Sequence, residues 1–427
     1  MIEKIKKALA ELNIQRWRIN EVKEESAELF FVKHNLDTRR IKDTHKCTVT
    51  VYRESEKDGK KYVGDTCAHI NPSMSYDDIK KEIEDAYFAA QFAMNPYYAP
   101  ADKVVSDTVE KHNELATAPL AESAGKMAAA IFSADTNEHA YINSTEVFCH
   151  RHYCRILTSE GTDVSFTDAS CKGDYVVQCK TPDDVELINQ FEYDDVNTDA
   201  LKQGVSEYLA FVYDRACAQK TLKSGNYDVI LSGKNLSVLL SYYIEKSAAG
   251  MIYPGYSSWK KGDGVQGEIK GDVLDMTMIA TRPFSGEGIK MQDLDVIEGG
   301  KLCAIHGGTQ FCRYLGIEPT GIYEKIKCDN KGSISFEDMK KKPCLWTVAF
   351  SDFQMDTFTG HFGGEIRLAY LIQDGKIIPV TGGSINGNLI EAQQNMLFST
   401  DRYVSAYYEG PYAVKFFGVP VAGTAND

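Results

Sequence analysis

The sequence lacks a long apolar run and a secretory leader, and these absences exclude two classes of protein. No window approaches the roughly 18 uninterrupted apolar residues of a membrane-spanning helix. Residues 1–12 form a charged amphipathic pattern, without the apolar centre of a signal peptide. We therefore expect a cytoplasmic protein with no membrane partner, in which the 11 cysteines are reduced thiols.

The sequence also lacks a clustered basic region. Its 427 residues carry 47 basic and 61 acidic side chains, a formal charge of −14. The basic runs Lys260–Lys261 and Lys340–Lys342 are short and have Asp263 and Asp338 close by. Because nucleic-acid binding normally needs clustered Lys and Arg to neutralise phosphates, nucleic acid is not expected as a partner.

The order of predicted elements indicates an α+β fold with two domains. Residues 1–224 are expected to form an N-terminal α/β layered domain. Residues 225–427 are expected to form a strand-rich, mainly antiparallel C-terminal domain. The boundary is placed at a glycine-containing turn, Lys223–Asn226.

Local signals place the individual elements. Ser75 and Asp78 match a capping box at the start of a helix, and Lys57–Lys60 matches a hairpin turn. The other predicted helices are Met1–Leu12, Leu120–Phe132, Thr198–Lys223 and Lys234–Gly250. The predicted strands are Glu28–Lys33, Cys47–Tyr52, Lys61–Gly64, Glu146–Thr158, Asp163–Thr167, Tyr175–Lys180, Tyr227–Leu231, Leu302–His306, Leu345–Ser351, Ile366–Leu371, Lys376–Val380 and Ala413–Phe417.

The segment Asn226–Gly250 resembles the strand, turn and zinc-binding helix of the TldD/PmbA family, a group related to metallopeptidases and to putative modulators of DNA gyrase. Further blocks, in the family's order, carry the same resemblance: Arg282–Ile289, Asp295–Leu302, Thr309–Gly316, Thr359–Tyr370, Asp374–Lys376, Thr381–Leu389 and Phe417–Gly423. The acidic composition gives no support to the link with DNA gyrase.

The resemblance implies that the metal-binding residues are missing. One branch of the family carries His-Glu-x-x-x-His directly after a Leu-Leu pair and uses a late cysteine as a third zinc ligand. The first two and last two of these six positions read Ser241, Tyr242, Glu245 and Lys246, and the last cysteine is Cys344. Zinc catalysis needs about three protein ligands and an open position for water. The chain therefore resembles the PmbA-like branch, and no metal, cofactor or catalytic residue is expected.

The resemblance also implies partners. PmbA-like chains can pair with a zinc-bearing TldD-like subunit, in a complex that threads an unfolded peptide into a closed chamber. The peptide is held there by strand addition to a sheet edge. We expect a peptide or unfolded polypeptide as ligand, and a homodimer or heterodimer as the assembly.

Two groups outside the helix are candidate sites. Glu365 and Arg367 share one face of a predicted strand, where they are candidates to bind a peptide terminus or to form a supporting ion pair. His150, His152 and Cys154 share one face of another strand and are a rival metal cluster. Such positions lie about 6–7 Å apart, too far for one tetrahedral ion unless the strand bends. An ordinary sheet surface is the alternative there.

Three functions follow as hypotheses. The first is a catalytically degenerate peptide-binding or assembly subunit of a metallopeptidase complex. The second is an active metallopeptidase with non-standard ligands, such as the His150 cluster. The third is a non-proteolytic homodimeric peptide-binding module.

Overall fold

A computed structural model describes residues 1–105 and 107–424 of the chain. The helices of these residues are α1 (Ile2–Glu11), α2 (Tyr76–Ala89), α3 (Glu114–Thr117), α4 (Leu120–Ser133), α5 (Thr198–Ala216), α6 (Lys234–Lys246), α7 (Ala249–Ile252), α8 (Thr309–Leu315), α9 (Phe336–Met339) and α10 (Leu389–Ala392). A 3₁₀ turn, Ala90–Phe92, follows α2. In this described part of the chain, no helix is both long and apolar enough to cross a membrane.

The strands divide between the two halves of the sequence. The N-terminal ones are β1 (Arg16–Val32), β2 (Asn35–Lys57), β3 (Lys60–Ile70), β4 (Asn95–Pro96), β5 (Asp107–Val109), β6 (Ala140–Thr158), β7 (Asp163–Cys179) and β8 (Val185–Tyr193). The C-terminal ones are β9 (Gly225–Ser232), β10 (Met276–Ile279), β11 (Leu294–Glu298), β12 (Lys301–Leu302), β13 (Lys325–Cys328), β14 (Cys344–Met355), β15 (His361–Gln373), β16 (Lys376–Val380), β17 (Ser384–Asn388), β18 (Leu397–Phe398), β19 (Arg402–Val404), β20 (Tyr408–Pro411) and β21 (Ala413–Ala422).

The N-terminal half forms one eight-stranded sheet in the order β4-β3-β2-β1-β6-β7-β5, with β8 paired to β7. Helices α1 and α2 cover the β1–β3 end through Ile5, Leu9, Ile79 and Ile83. Helices α4 and α5 cover the sheet at β6 and β7. The result is a layer of helices on a long sheet in which all strand pairs are antiparallel except β5 with β7.

The C-terminal half contains two sheets. One has the order β12-β11-β10-β13-β20-β19, and the other has the order β14-β9-β21-β17-β15-β16 with β18 on β21. Because β14 also pairs with β15, five strands of the second sheet close into a ring. Most pairings are antiparallel, and the exceptions in this half are β9 with β14 and β13 with β20. The α+β prediction is confirmed, with 44% of the chain in strands and 23% in helices.

The two halves share a hydrophobic core. It joins α5 and β7 to residues of β14 and β15, including Val348 and Leu368. The hydroxyl of Tyr370 on β15 donates a hydrogen bond to Asp214 of α5 at 2.5 Å. The strands of the second half therefore have a fixed position against the helix that ends the first half.

Several predicted elements differ in extent from the observed ones. The two strands predicted at Asp163–Thr167 and Tyr175–Lys180 are the single strand β7, which pairs with β6 along its whole length. Gly173 permits this close approach, because a Cβ atom there would lie 1.9 Å from the carbonyl oxygen of Glu146.

The helix predicted to reach Lys223 ends at Ala216. The chain after it hydrogen-bonds to the C-terminal half, where the amide of Gln219 donates to the carbonyl of Pro379 at 3.0 Å. The strand predicted at Leu302–His306 is observed only as the two-residue strand β12, Lys301–Leu302. It ends there because the amide of Cys303 donates a hydrogen bond to the carbonyl of Val296 at 2.8 Å. In each case a distant main-chain partner replaces the local one.

Two glycines give a matched test of this packing. A Cβ atom on Gly64 of β3 would lie 1.9 Å from the carbonyl oxygen of Ala90. We expect Gly64→Ala to destabilise the protein by about 1–3 kcal/mol through overpacking. Around Gly125 of α4 there is open space, so we expect Gly125→Ala to stabilise by roughly 0.5–1 kcal/mol. Thermal unfolding followed by circular dichroism measures both, and equal midpoints for the two variants would contradict the prediction.

Candidate functional site

Helix α6, which carries the degenerate motif positions, is held by a central strand. It follows β9, which lies between β14 and β21. Gly233 joins the two with φ +60, a backbone conformation that favours glycine, and its amide donates to the carbonyl of Tyr412 at 2.8 Å. Leu236, Leu239 and Leu240 are buried in the core. This packing fixes the orientation of the helix without any metal.

The motif positions on α6 make hydrogen bonds and aromatic contacts. The hydroxyl of Ser241 donates to the carbonyl of Val238 at 2.6 Å, one turn back in the helix. Tyr242 is buried, and its ring packs edge-on against Trp259 with 5.8 Å between centroids. The hydroxyl of the adjacent Tyr243 donates to Gln393 at 2.6 Å. These side chains pack where the zinc-bearing branch would present an imidazole and a carboxylate.

Lys246 lies at the last motif position and is a buried cation. Its side chain is nine-tenths buried, and its ammonium group donates to the carbonyl oxygens of Tyr256 and Phe358 at 3.1 and 3.2 Å. Glu245 is exposed. A cationic ammonium group cannot bind a metal ion. The donor set of α6 therefore does not fit a zinc ion.

Glu365 and Arg367 lie together on β15. The guanidinium group of Arg367 is 3.6 Å from the Glu365 carboxylate, which also accepts a hydrogen bond from the Ser351 hydroxyl at 2.9 Å. Both side chains are well exposed, and they are not among the residues that line the large cavity described below. The pair is thus an exposed ion pair in this structure, and its binding of a peptide stays a prediction.

His150 and His152 lie together on β6, and their third neighbour is a glutamate. In the described part of the chain, ligand atoms of Glu24, His150 and His152 lie within 4.8 Å of one another. Cys154 instead packs against Phe166 and Phe284, and burial raises the pKa of its thiol to about 11. The predicted cluster is therefore assembled with a different third member, supplied by β1.

A cavity of about 680 Å³ lies between the two halves. It lies beside the N-terminal turns of α6, at Gly233, Lys234 and Ser237. Aromatic side chains from three separate segments dominate its wall: Phe148, Tyr175, Phe191, Tyr193, Tyr208, Phe211, Tyr403, Tyr407 and Tyr412. The charged side chains of the wall are Lys172, Asp174, Glu192, Glu207, Lys234 and Arg402.

The cavity disfavours charge of either sign. Burial lowers the pKa of Lys234 to about 8 and raises the pKa of both Glu207 and Asp174. Lys234 is exposed to the cavity, where surrounding protein replaces much of its water, and its ammonium group donates to Asn189 at 3.0 Å. The guanidinium of Arg402 is occupied by two main-chain carbonyls at 3.1 Å. A ligand with apolar groups and neutral hydrogen-bonding groups fits this environment.

One wall of the cavity is an edge strand. Residues 189–193 of β8 line it, and among the described strands β8 pairs only with β7. Across the opening, the hydroxyl of Tyr407 donates to the Glu192 carboxylate, so the loop 405–407 closes one side. Sequence reasoning missed this site. The available signal was the run of tyrosines at positions 403, 407, 408 and 412.

Comparisons with known proteins identify the C-terminal half. Residues 224–423 match the model of the PmbA/TldA metallopeptidase C-terminal domain. This half is similar to that family of domains. The resemblance to the TldD/PmbA family that the sequence predicts is therefore confirmed.

Relatives of known name are distant in sequence. A protein named metalloprotease from Methanothermobacter thermautotrophicus is 22% identical over 317 residues, which are 70% of this chain and 63% of that protein. The chain thus spans less than two thirds of this curated relative. The names of this relative and of the family model both refer to metallopeptidases.

Solved structures match the whole fold. TldE from Thermococcus kodakarensis has a TM-score of 0.79 and 16% identity, with 99% of this chain and 100% of that chain covered. A putative modulator of a DNA gyrase from Thermotoga maritima has a TM-score of 0.78, 16% identity and the same coverage. A putative modulator of DNA gyrase from Bacteroides thetaiotaomicron has a TM-score of 0.78 and 15% identity, with 99% of this chain and 98% of that chain covered. At these identities the likeness shows the fold alone.

Lys246 gives a test of the structural role of the degenerate motif. Lys246→Met keeps the length of the side chain but leaves the carbonyls of Tyr256 and Phe358 without a donor. We expect the free energy of unfolding to fall by about 1–3 kcal/mol, the cost of unsatisfied buried polar groups. Glu245→Gln, at the exposed neighbour, should change it by less than about 0.5 kcal/mol. Urea unfolding of both variants is the measurement, and a stable Lys246→Met protein would show that the ammonium is not structural.

Proposed function

We propose that this chain is a catalytically degenerate peptide-binding or assembly subunit of a cytoplasmic proteolytic complex. The observation that carries the proposal is an open aromatic cavity beside a helix whose motif positions hold no zinc-ligand set. The cavity supports the peptide-binding part of the proposal, and the absence of a zinc-ligand set on α6 supports the degenerate part. A zinc-bearing TldD-like subunit would then supply the hydrolysis.

The shape of the cavity supports a peptide as the ligand. A volume of about 680 Å³ is in the range of small-ligand sites, roughly 300–1,000 Å³, and holds several amino-acid side chains. Edge strand β8 offers main-chain groups to an extended segment, as in other cases of strand addition. Main-chain hydrogen bonds depend little on side-chain identity, so such a site suits unfolded polypeptides of varied sequence.

The charges of the cavity support the same ligand class. Lys234 with Glu207 and Asp174 presents both signs, and burial opposes the charge on each of the three. A highly charged ligand such as a nucleic acid would bring phosphates into a site that does not solvate them. The acidic composition of the whole chain agrees with this exclusion.

Two neighbouring positions on α5 test the cavity as the binding site. Gln203 lines the cavity, whereas Lys202 is exposed outside it. We expect Gln203→Trp to weaken the binding of an unfolded polypeptide by tenfold or more, about 1.4 kcal/mol, because the indole occupies the cavity. Fluorescence anisotropy with labelled, reduced and carboxymethylated lactalbumin measures the affinity.

Lys202→Trp is the matched control, since it adds the same side chain one residue away. It should bind like the unsubstituted protein. If Gln203→Trp also binds with unchanged affinity, or if the unsubstituted chain does not bind the polypeptide at all, the cavity is not the site and the proposal loses its support.

Hydrolysis distinguishes the three functional hypotheses. With added Zn²⁺ we expect no cleavage of labelled casein by the chain alone, and cleavage when a TldD-like subunit with an intact His-Glu-x-x-x-His motif is mixed with it. Size-exclusion chromatography of the mixture checks that the two subunits associate, and the TldD-like subunit alone is the control.

Other outcomes favour the other hypotheses. Chelator-sensitive cleavage by the chain alone would indicate an active metallopeptidase with non-standard ligands. Loss of that cleavage in His150→Gln/His152→Gln would place its ligands on β6. Peptide binding by a homodimer that ignores the TldD-like subunit would indicate a non-proteolytic binding module.

A further inference from the structure

The pairing of β1 with β6 brings two histidines and a glutamate to one face of the N-terminal sheet. Glu24 of β1 lies directly opposite His152 of β6, and Ser26 lies opposite His150. Directly opposed residues of antiparallel strands point to the same face, and so do residues two apart on one strand. The two imidazoles and the carboxylate therefore project from adjacent positions of the same surface.

The distances between these side chains are close to those of a metal site. The Nδ1 atom of His150 is 3.0 Å from the Oε1 atom of Glu24, and the ligand atoms of all three residues lie within 4.8 Å. The two imidazole rings stack with centroids 5.8 Å apart and planes 7° from parallel. Ligands of a tetrahedral zinc ion at about 2.0–2.1 Å are roughly 3.3 Å from one another. Binding of one ion therefore requires that the two imidazole rings rotate until the three donors reach that spacing.

The surroundings allow an ion to enter and balance its charge. The side chains of His150 and Glu24 are 12% and 24% exposed, so the group is partly buried but can be reached from solvent. Asp168 lies opposite His152 on β7 and pairs with Arg282 at 2.9 Å and Lys111 at 3.8 Å. Asp168 thus neutralises part of the positive charge of Arg282 and Lys111. The negative charge of Glu24 is then available to neutralise part of the charge of a bound metal ion.

We propose that Glu24, His150 and His152 form a binding site for a divalent transition-metal ion, with zinc as the best match and water as the fourth ligand. Two imidazoles with one carboxylate are a common protein set for this ion.

A metal ion at this position would link β1 to β6 near the contact between the two halves. Arg282, which pairs with Asp168, belongs to the C-terminal half, and Phe284 of the same segment packs on Ile156 and Phe166 of the sheet. The site is separate from α6 and does not depend on the proposed peptide binding. Its test has no activity readout, so either proposal can fail without the other.

A second group in the described part of the chain is less suited to a metal. Ligand atoms of Glu21, His45 and Cys47 also lie within 4.8 Å of one another, in the region covered by α1 and α2. Burial raises the pKa of the Cys47 thiol to about 11, whereas a thiol must lose its proton to coordinate a metal. His45 therefore serves as the comparison in the experiment.

Titration with Co²⁺ alone tests the proposal, because tetrahedral Co²⁺ absorbs visible light and free aqueous Co²⁺ absorbs weakly. On the full chain without a histidine tag we expect one Co²⁺ per chain, displaced by Zn²⁺. His150→Gln/His152→Gln should lose this absorption, and Glu24→Gln should weaken the binding. His69→Gln, at an exposed histidine of the same sheet, should leave both unchanged.

Three results would overturn the proposal: no Co²⁺ absorption in the unsubstituted chain, absorption that persists in His150→Gln/His152→Gln, or absorption that His45→Gln removes instead. Circular dichroism of each variant shows that it is folded. If the double variant does not fold, Glu24→Gln alone decides, and unchanged affinity in that variant also overturns the proposal.

Discussion

The burial of α6 against the ring of strands around β9 is the constraint on which the rest of this structure depends. Strand β9 has β14 on one side and β21 on the other, so its position is fixed by two ladders of main-chain hydrogen bonds. Gly233 then turns the chain directly into α6, and three leucines anchor the helix in the core. Both the degenerate motif positions and the mouth of the cavity take their places from this unit.

The same constraint explains how the scaffold persists without metal ligands. The helix is stabilised by its leucines and by Tyr243, whose hydroxyl is bonded to Gln393, so packing alone holds it. The ammonium group of Lys246 donates hydrogen bonds to the main-chain carbonyls of Tyr256 and Phe358. Near the N-terminus of α6, helix α5 packs on β14 and β15 and forms one wall of the cavity. The same packing therefore leaves a cavity beside a helix that lacks a zinc-ligand set.

The sequence correctly predicted the elements whose ends depend on residues close to one another in the chain. The capping box of Ser75 and Asp78 forms, the turn of Lys57–Lys60 has Asp58 and Gly59 at positive φ, and β16 has the predicted bounds. Errors arose where a distant partner decides. Strand β7 continues through Gly173 because β6 and β8 flank it, and α5 stops at Ala216 because the following chain pairs with residues about 160 positions later, at Pro379.

The sequence by itself determined that α6 lacks a zinc-ligand set, because the identity of a side chain fixes which atoms it can offer to a metal. The family resemblance was likewise decided by the order of residues along the chain. Only the tertiary structure decided that the cavity joins β8, α5 and the segment 402–412, and that Glu24 replaces Cys154 beside the two histidines. The physical reason is that sheet register and helix packing bring together residues more than a hundred positions apart, which no local pattern encodes.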